Sequence, residues 1–401
     1  MNSEDILANL DRVQPFFQPI FSADEHRVAG FEILGRYKTE TGYQSLGPFF
    51  LDSKIPMEYR NEVDNNLLDK ALAILSAKEE DFLIFINRDP NLLMIDHGEQ
   101  FLSIIQTYFK GDAVSRIVLE LSDTDYEEIL DSLQHVLSYY RTFGMKIALD
   151  HNGAESKMDR IAQISPHILK VNLEQLRKTS GEVTQVILFS LSFLARKIGA
   201  NLLFEHIESQ YQLRYAWKNG GRYYQGFLLA KPELELVDRD ILRENFKKEC
   251  RGFITLEMKK LENVYQLTNK FNEDMKSFMV KHKKTAGYGE WLHTLAEKIE
   301  SMSFRLYICN EEGFQISPNI LKKEGNWIVQ ETYMGKNWSW RPYFLENIVQ
   351  MKHEKKGILS DLYSDIESGE TIRTFSFPLD HNSYLFIDLS YEYLYENDDL
   401  L

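Results

Sequence analysis

The chain has 401 residues, 46 Lys and Arg against 61 Asp and Glu, a formal charge of −15, and 43% apolar and 27% charged residues. That composition fits two or three globular domains and excludes global disorder. The acidic balance argues against a surface built to neutralise DNA or RNA phosphates. Two cysteines, Cys250 and Cys309, give neither a disulfide framework nor a cysteine zinc site. The acidic first residues do not read as a signal peptide. No apolar run approaches the roughly 18 residues of a membrane span. A cytoplasmic protein without a membrane span is therefore expected.

Over residues 1–238, short apolar runs alternate with amphipathic stretches. Val13–Ile20 and Val28–Leu34 are joined by the short polar segment Ser22–His26, which reads as a hairpin with one antiparallel strand. Phe82–Ile86, Ile117–Leu119, Lys146–Leu149, Ile168–Leu169, Leu202–Phe204 and Tyr223–Tyr224 follow as buried strands. Asn65–Leu75, Glu128–Tyr140 and Val183–Ile198 carry apolar residues at helical spacing between them. Strand and helix alternating in this way predict an α/β fold with a parallel sheet, closed as a TIM-like (β/α)8 barrel.

Over 239–287, charge is dense and apolar residues recur from Leu242 to Phe278 at spacings of three to five, which predicts a helical connector. It either packs on its own domains or serves as a dimerising, signal-transmitting helix, which makes a homodimer an expectation. Residues 288–401 predict a small α+β domain with a helix at Trp291–Met302 and strands at Phe304–Cys309, Trp327–Gln330, Thr371–Pro378 and Tyr384–Leu389.

Most of the barrel strands end on a polar residue. In a parallel barrel these ends converge on one face. Glu32, Asn87, Glu120, Asp150 and Glu205 would bring four carboxylates and an amide to one small space, where unpaired carboxylates repel. A divalent cation (Mg²⁺, Mn²⁺ or Ca²⁺) suits that oxygen-rich shell, and Lys170 would stand beside it as a point charge. Taken singly, a carboxylate at a strand end is more often a helix cap or a surface charge; the repetition from unit to unit is what points to a site.

Glu32-Ile-Leu34-Gly-Arg36 resembles the Glu-x-Leu-x-Arg element of EAL domains, the cyclic di-GMP phosphodiesterases of bacterial signalling, and the match runs in order from Gln18-Pro-Ile to Gln225-Gly-Phe-Leu-Leu-Ala-Lys-Pro232. The order of barrel, helix and PAS-like domain resembles the YkuI-type members. The resemblance implies a metal shell of Glu32, Asn87, Glu120 and Asp150. It implies that Lys170, Glu205 and Gln225 position and activate water, and that Gln18, Leu34, Arg36 and Glu208 hold the ligand.

Departures from the family pattern set the functional expectation. His151 stands where the family has the second Asp of Asp-Asp-Phe-Gly, Asn172 where it has the Asp of Lys-Ile-Asp, and Asp123 where it usually has Glu. The loop from Gly153 to Met158 lacks the usual Gly and paired serines. His151 is open as a ligand or as a hydrogen-bonding partner. One cation site rather than two is expected, in a degenerate module that binds cyclic di-GMP with weak or no hydrolysis and relays the signal. The alternatives are an active phosphodiesterase yielding linear pGpG and a protein-interaction scaffold. In the second domain, Trp338, Trp340, Arg341 and Tyr343 resemble an Arg-Pro-Tyr/Trp element of Cache domains. With Tyr363 they would line a pocket for a small ligand or protein, or else form core with Arg341 stacked on the rings.

Overall fold

The computed structural model describes residues 3–122, 126–151, 158–176, 181–282, 287–341 and 344–397. It divides into two compact units, Met1–Arg251 and Gly252–Leu401.

In the first unit the strands are β1 (Val13–Ser22), β2 (Val28–Thr39), β3 (Gly42–Ser45), β4 (Leu83–Arg88), β5 (Ile117–Leu121), β6 (Lys146–His151), β7 (Ile168–Asn172), β8 (Asn201–Glu205) and β9 (Gly221–Tyr224). They run in the order β1-β9-β8-β7-β6-β5-β4-β2, and β1 also pairs with β2, so eight strands close into a barrel; β3 extends the edge of β2 as a hairpin. From β2 through β4 to β9 every neighbour is parallel, whereas β1 is antiparallel to both β2 and β9. The antiparallel strand follows from chain length, since Ala23–Arg27 is far too short for the crossover that a parallel neighbour needs.

The crossovers are the expected amphipathic helices: Met57–Ser76 and Gly181–Ile198, both longer than the sequence pattern alone, and Leu130–Thr142, shifted by two residues. Met57–Ser76 buries Leu67, Leu68, Ala71, Leu72 and Leu75, the stripe that the spacing predicts, and Val63 one turn before it. Inside the barrel an apolar layer of Ile20, Ala29, Phe85, Val118, Ala148, Ile168, Leu203 and Tyr223 closes the interior. This is a packed plug rather than a pore.

The connector is one helix, Arg243–Lys281. Phe246 packs on Phe21 and Tyr224 of the first unit, while Phe271, Met275 and Phe278 enter the core of the second. Between them Met258 and Leu261, counted in the predicted apolar stripe, are exposed.

The second unit is a helix, Tyr288–Lys298, and an antiparallel sheet of β10 (Ser303–Asn310), β11 (Asn319–Lys323), β12 (Asn326–Gln330), β13 (Ile358–Leu359), β14 (Tyr363–Ser364), β15 (Thr371–Pro378) and β16 (Ser383–Leu389). The order is β12-β11-β10-β16-β15-β13, with β14 on the flank of β15. Leu306 and Ile308 face the cluster that holds Trp291 and Phe278, whereas Tyr307 and Cys309 face Phe344, Ile348 and Met351 of the helix Phe344–Glu354. The sheet is thus covered on both faces by alternation of period two. Both cysteines are buried free thiols. No helix among the described residues is long and apolar enough to cross a membrane.

Candidate functional site

Strand geometry assembles the site. Side chains two residues apart face the same way, so each strand places a polar residue one step beyond the apolar plug, towards the carboxyl end. Phe85 is followed in this way by Asn87, Val118 by Glu120, Ala148 by Asp150, Ile168 by Lys170, Leu203 by Glu205 and Tyr223 by Gln225. Glu32 joins them from β2, directly opposite Gln18 of the antiparallel β1. Gly226 lets the chain after Gln225 pass against Ile207: a Cβ there would lie 2.2 Å from the Ile207 carbonyl oxygen and 2.3 Å from its nitrogen.

The side chains converge on Lys170. Its Nζ lies 3.0 Å from Glu120 Oε2, 3.2 Å from Glu32 Oε2 and 3.4 Å from Glu205 Oε2. Gln225 Nε2 donates to Glu32 Oε2 at 2.7 Å, and Asn87 Nδ2 donates to Glu32 Oε1 at 2.5 Å. Glu120, Lys170, Gln225 and Glu32 are all buried. Burial pushes the Glu32 carboxyl up, but the Lys170 ammonium and the Gln225 and Asn87 amides outweigh it and hold Glu32 below the usual carboxylate range. Glu120 goes the other way. Burial and the neighbouring Glu32 charge push it well up, against the pull of Lys170. For Lys170, burial disfavours the charge, yet Glu120, Glu32, Glu205 and Asp150 together keep the ammonium firmly protonated.

One ammonium therefore faces the carboxylates of Glu32, Glu120, Asp150 and Glu205, and the balance stays negative. Glu120 Oε1 and Gln225 Oε1 are buried without a hydrogen-bond partner among the described residues. Among those residues no three acidic, cysteine or histidine side chains are grouped as a metal cage, at this site or elsewhere; here the carboxylates gather on Lys170. Hard oxygen donors, an unsatisfied carboxylate oxygen and surplus negative charge fit an added divalent cation of the Mg²⁺, Mn²⁺ or Ca²⁺ class. Glu32, Asn87, Glu120 and Asp150 are the residues that could hold it.

Asn172, at the end of β7, is buried, and its Oδ1 accepts from the Glu174 backbone N–H at 2.9 Å, capping the next turn. Asp123, the loop 152–157 and the side chain of His151 lie outside the described residues. Arg36 is half-buried on β2. Its Nη1 donates to the Gly35 carbonyl at 3.0 Å and its guanidinium lies over the Phe16 ring at 5.6 Å. Leu34 is partly exposed beside it and Gln18 is buried. Glu208 is exposed, and no hydrogen bond or ion pair among the described residues ties its carboxylate to the cluster.

The sequence reading missed His206. It adopts a left-handed backbone, φ 58°, just after Glu205, where the resembled EAL element Ala-Glu-Gly-Val-Glu has Gly. Its ring lies 3.9 Å from Glu205 Oε1 and 3.7 Å from Glu174 Oε2, bridging the ends of β7 and β8. The only signal was a non-glycine residue at that element's glycine.

In the second unit, Trp338 is partly buried and its Nε1 donates to Gln315 Oε1 at 2.9 Å. Arg341 stacks over Trp338 at 4.7 Å and lies 6.0 Å from Trp340, which is 64% exposed. Tyr363 shares a 2.6 Å hydrogen bond with Thr374. Tyr343 lies outside the described residues.

Family comparison agrees with this geometry. The EAL domain model matches residues 3–232, and a second model, the EAL-domain associated signalling protein domain, matches residues 236–401. The uncharacterised EAL-domain containing protein YkuI of Bacillus subtilis (strain 168) is 49% identical over 99% of both chains. The cyclic di-GMP phosphodiesterase PdeL of Escherichia coli (strain K12) is 22% identical over 55% of this chain and 62% of its own. A crystal structure of the Bacillus subtilis YkuI protein, in complex with substrate c-di-GMP and calcium, superposes with a TM-score of 0.94 at 47% identity, covering 100% of both chains. A closed barrel with acidic strand ends, matched over more than half of the chain by the EAL model and end to end by a YkuI relative, makes this chain a member of the EAL-domain family.

Proposed function

We propose that the barrel binds cyclic di-GMP over the strand ends together with one divalent cation, cuts it slowly or not at all, and relays occupancy to the C-terminal unit or to a partner. The observation that carries this reading is the Lys170-centred cluster with an amide at its margin. Glu32, Glu120, Lys170, Glu205 and Gln225 are gathered, while Asn172 supplies no carboxylate and commits its oxygen to a helix cap. The crystallised relative at 47% identity, held with c-di-GMP and calcium, supports the ligand and the class of cation.

A bound dication would polarise phosphate oxygens and acidify a water. This chain's residues do the rest. Arg36 offers a planar fork to a phosphate at the rim, backed by Phe16. Gln18 and Leu34 line the wall beside it. Lys170 places a fixed charge at the floor, and Gln225 and Glu205 orient the water. Losing one carboxylate of a two-metal arrangement removes the clamp on one of the two reacting oxygens, which slows turnover more than it weakens binding.

In the same reading the barrel covers 1–238, the connector 239–287 and a PAS/Cache-like sensor 288–401, with Trp338, Trp340, Arg341, Tyr343 and Tyr363 around a ligand pocket. The covered sheet and the Arg341 stack support it. The exposed apolar residues of the connector helix support a homodimer.

The test pairs calorimetric titration of cyclic di-GMP with a turnover assay in Mg²⁺, Mn²⁺ and Ca²⁺. Saturable, cation-dependent binding with little pGpG is expected, as is a gain of turnover in Asn172→Asp. Rapid hydrolysis abolished by Glu32→Ala would establish the phosphodiesterase instead. No binding up to about 1 mM would leave the scaffold.

A further inference from the structure

The opposite end of the barrel holds a cavity of about 340 Å³. It opens among the first residues of the parallel strands, where Lys146 begins β6, His167 precedes β7, and Arg222 and Tyr223 lie in β9. The apolar layer that contains Ile168 and Tyr223 forms its inner wall and separates it from the Lys170 cluster. It is therefore a different compartment from the site above, in the size range of small-molecule sites, roughly 300–1,000 Å³.

Its lining sets the donors Lys146, His167, Arg222 and Arg239 beside three carboxylates, Asp24, Glu25 and Asp81. The Ile147 backbone N–H donates to His167 Nδ1 at 3.0 Å, and the His167 backbone is itself paired to Ile147 and Asn201. The imidazole is thereby locked with Nδ1 as acceptor, which leaves Nε2 as a neutral N–H donor. Burial and the nearby Arg141 and Lys146 charges press that ring further towards the neutral form. Lys146 Nζ gives one hydrogen bond, to the Ser115 carbonyl at 2.9 Å, and has two N–H groups left. Arg239 uses Nε on the Val28 carbonyl at 3.0 Å, with Glu25 at 3.9 Å from its Nη2. Of the lining carboxylates, Asp24 is taken by Arg222 at 3.0 Å, Glu25 turns to Arg239, and Asp81, at the exposed edge, supports the charge of Lys146.

We propose that this basal cavity is a second ligand site, which takes a small organic phosphate. Lys146, His167 and Arg239 supply N–H donors to the phosphate oxygens, and Ala29, Ile168 and Tyr223 receive the apolar body of the ligand. A phosphomonoester matches better than a carboxylate, because three oxygens are needed to use the donors of three side chains.

Adenosine 5′-monophosphate, inorganic phosphate and uncharged adenosine serve as probes of the full-length protein, by calorimetry and ³¹P line broadening. The monophosphate is expected to saturate below about 1 mM, phosphate to bind more weakly and adenosine not at all. Lys146→Met and His167→Gln should each weaken the monophosphate by at least about tenfold while cyclic di-GMP binding, which also reports correct folding, stays unchanged. No saturation up to about 10 mM would overturn the proposal. So would unaltered affinity in both variants, or competitive displacement by cyclic di-GMP, which would put the probe in the upper site.

Discussion

Among the described residues two buried ionic clusters are built on opposite principles. At the barrel mouth Lys170 faces the carboxylates of Glu32, Glu120 and Glu205, with oxygens of Glu120 and Gln225 left without partners. In the second unit Arg305 faces Asp365, Asp388 and Glu367. There each carboxylate has a further donor: Ser368 Oγ and its backbone N–H for Asp365, Thr374 for Asp388 and Tyr333 for Glu367. No side-chain atom of the Arg305 cluster is left buried and unpaired among the described residues. Both clusters carry more negative than positive charge, so net charge does not separate them. Hydrogen-bond closure does. A closed network fixes a fold, whereas an open one keeps capacity for something that binds.

The largest expected effect tests that distinction. Arg305→Ala leaves Asp365 and Asp388 buried without their cation and should cost about 3–5 kcal/mol, with no recovery when Ca²⁺ or Mg²⁺ is added. Lys170→Met should destabilise the barrel on a similar scale in chelator, and a divalent cation should restore most of it. Urea unfolding can follow both. Trp217 is the tryptophan of the first unit and the other four lie in the second, so Trp217→Phe isolates the second transition and replacing the other four isolates the first. If cations rescue Arg305→Ala, or leave Lys170→Met unchanged, the contrast between the clusters fails.

A smaller effect divides the mouth itself. Arg36→Ala should weaken cyclic di-GMP by about 10- to 100-fold, the worth of a charge-assisted bidentate contact. Lys170→Ala, measured with cation present, should weaken it less. Equal losses in a titration would erase the division between residues that hold the ligand and residues that face the reacting atoms.

The sequence carried much of this, unevenly. Hydrophobic runs ending on Asn87, Glu120, Asp150 and Glu205, with Glu32 inside the run Val28–Leu34, pointed to the barrel and its acidic mouth, because a period of two puts such residues on the same rim. The short turn at Ser22–His26 announced the antiparallel strand. In the second unit β11, β13 and β14 left no pattern: two of them are two residues long, and β11 runs from Asn319 through only two apolar residues into Lys322 and Lys323. Such strands exist because a neighbour pairs with them. The Arg305 cluster was equally hidden, as its partners lie 60 to 83 positions away. Within the mouth the residue types were readable but the centre was not. That the carboxylates close on Lys170, and that His206 takes a left-handed backbone beside Glu205, depend on distances that no spacing encodes.

The mildest prediction sets the two clusters against each other by pH. Glu120 is raised by burial and by Glu32. Between the ordinary carboxylate range and its own raised value, the unfolded chain has lost that proton and the folded chain keeps it. The folded state then binds more protons, so barrel stability in chelator falls as pH rises, by up to about 1.4 kcal/mol per unit for one proton. Asp365 is the reverse. Burial raises it, but the hydrogen bonds and charge of Arg305, with Ser368, outweigh that and hold it low. Its contribution is present above the ordinary carboxylate range and is lost as pH falls through its lowered value. Above the ordinary carboxylate range the barrel transition should weaken while the second transition holds, and below that range the second should weaken. Glu120→Gln removes the titrating proton and should flatten the barrel's slope, and Ca²⁺ should flatten it in the native chain by favouring the ionised carboxylate. A barrel whose slope is the same with and without Glu120 would mean that the open cluster is closed after all, by groups other than the cation it is shaped to take.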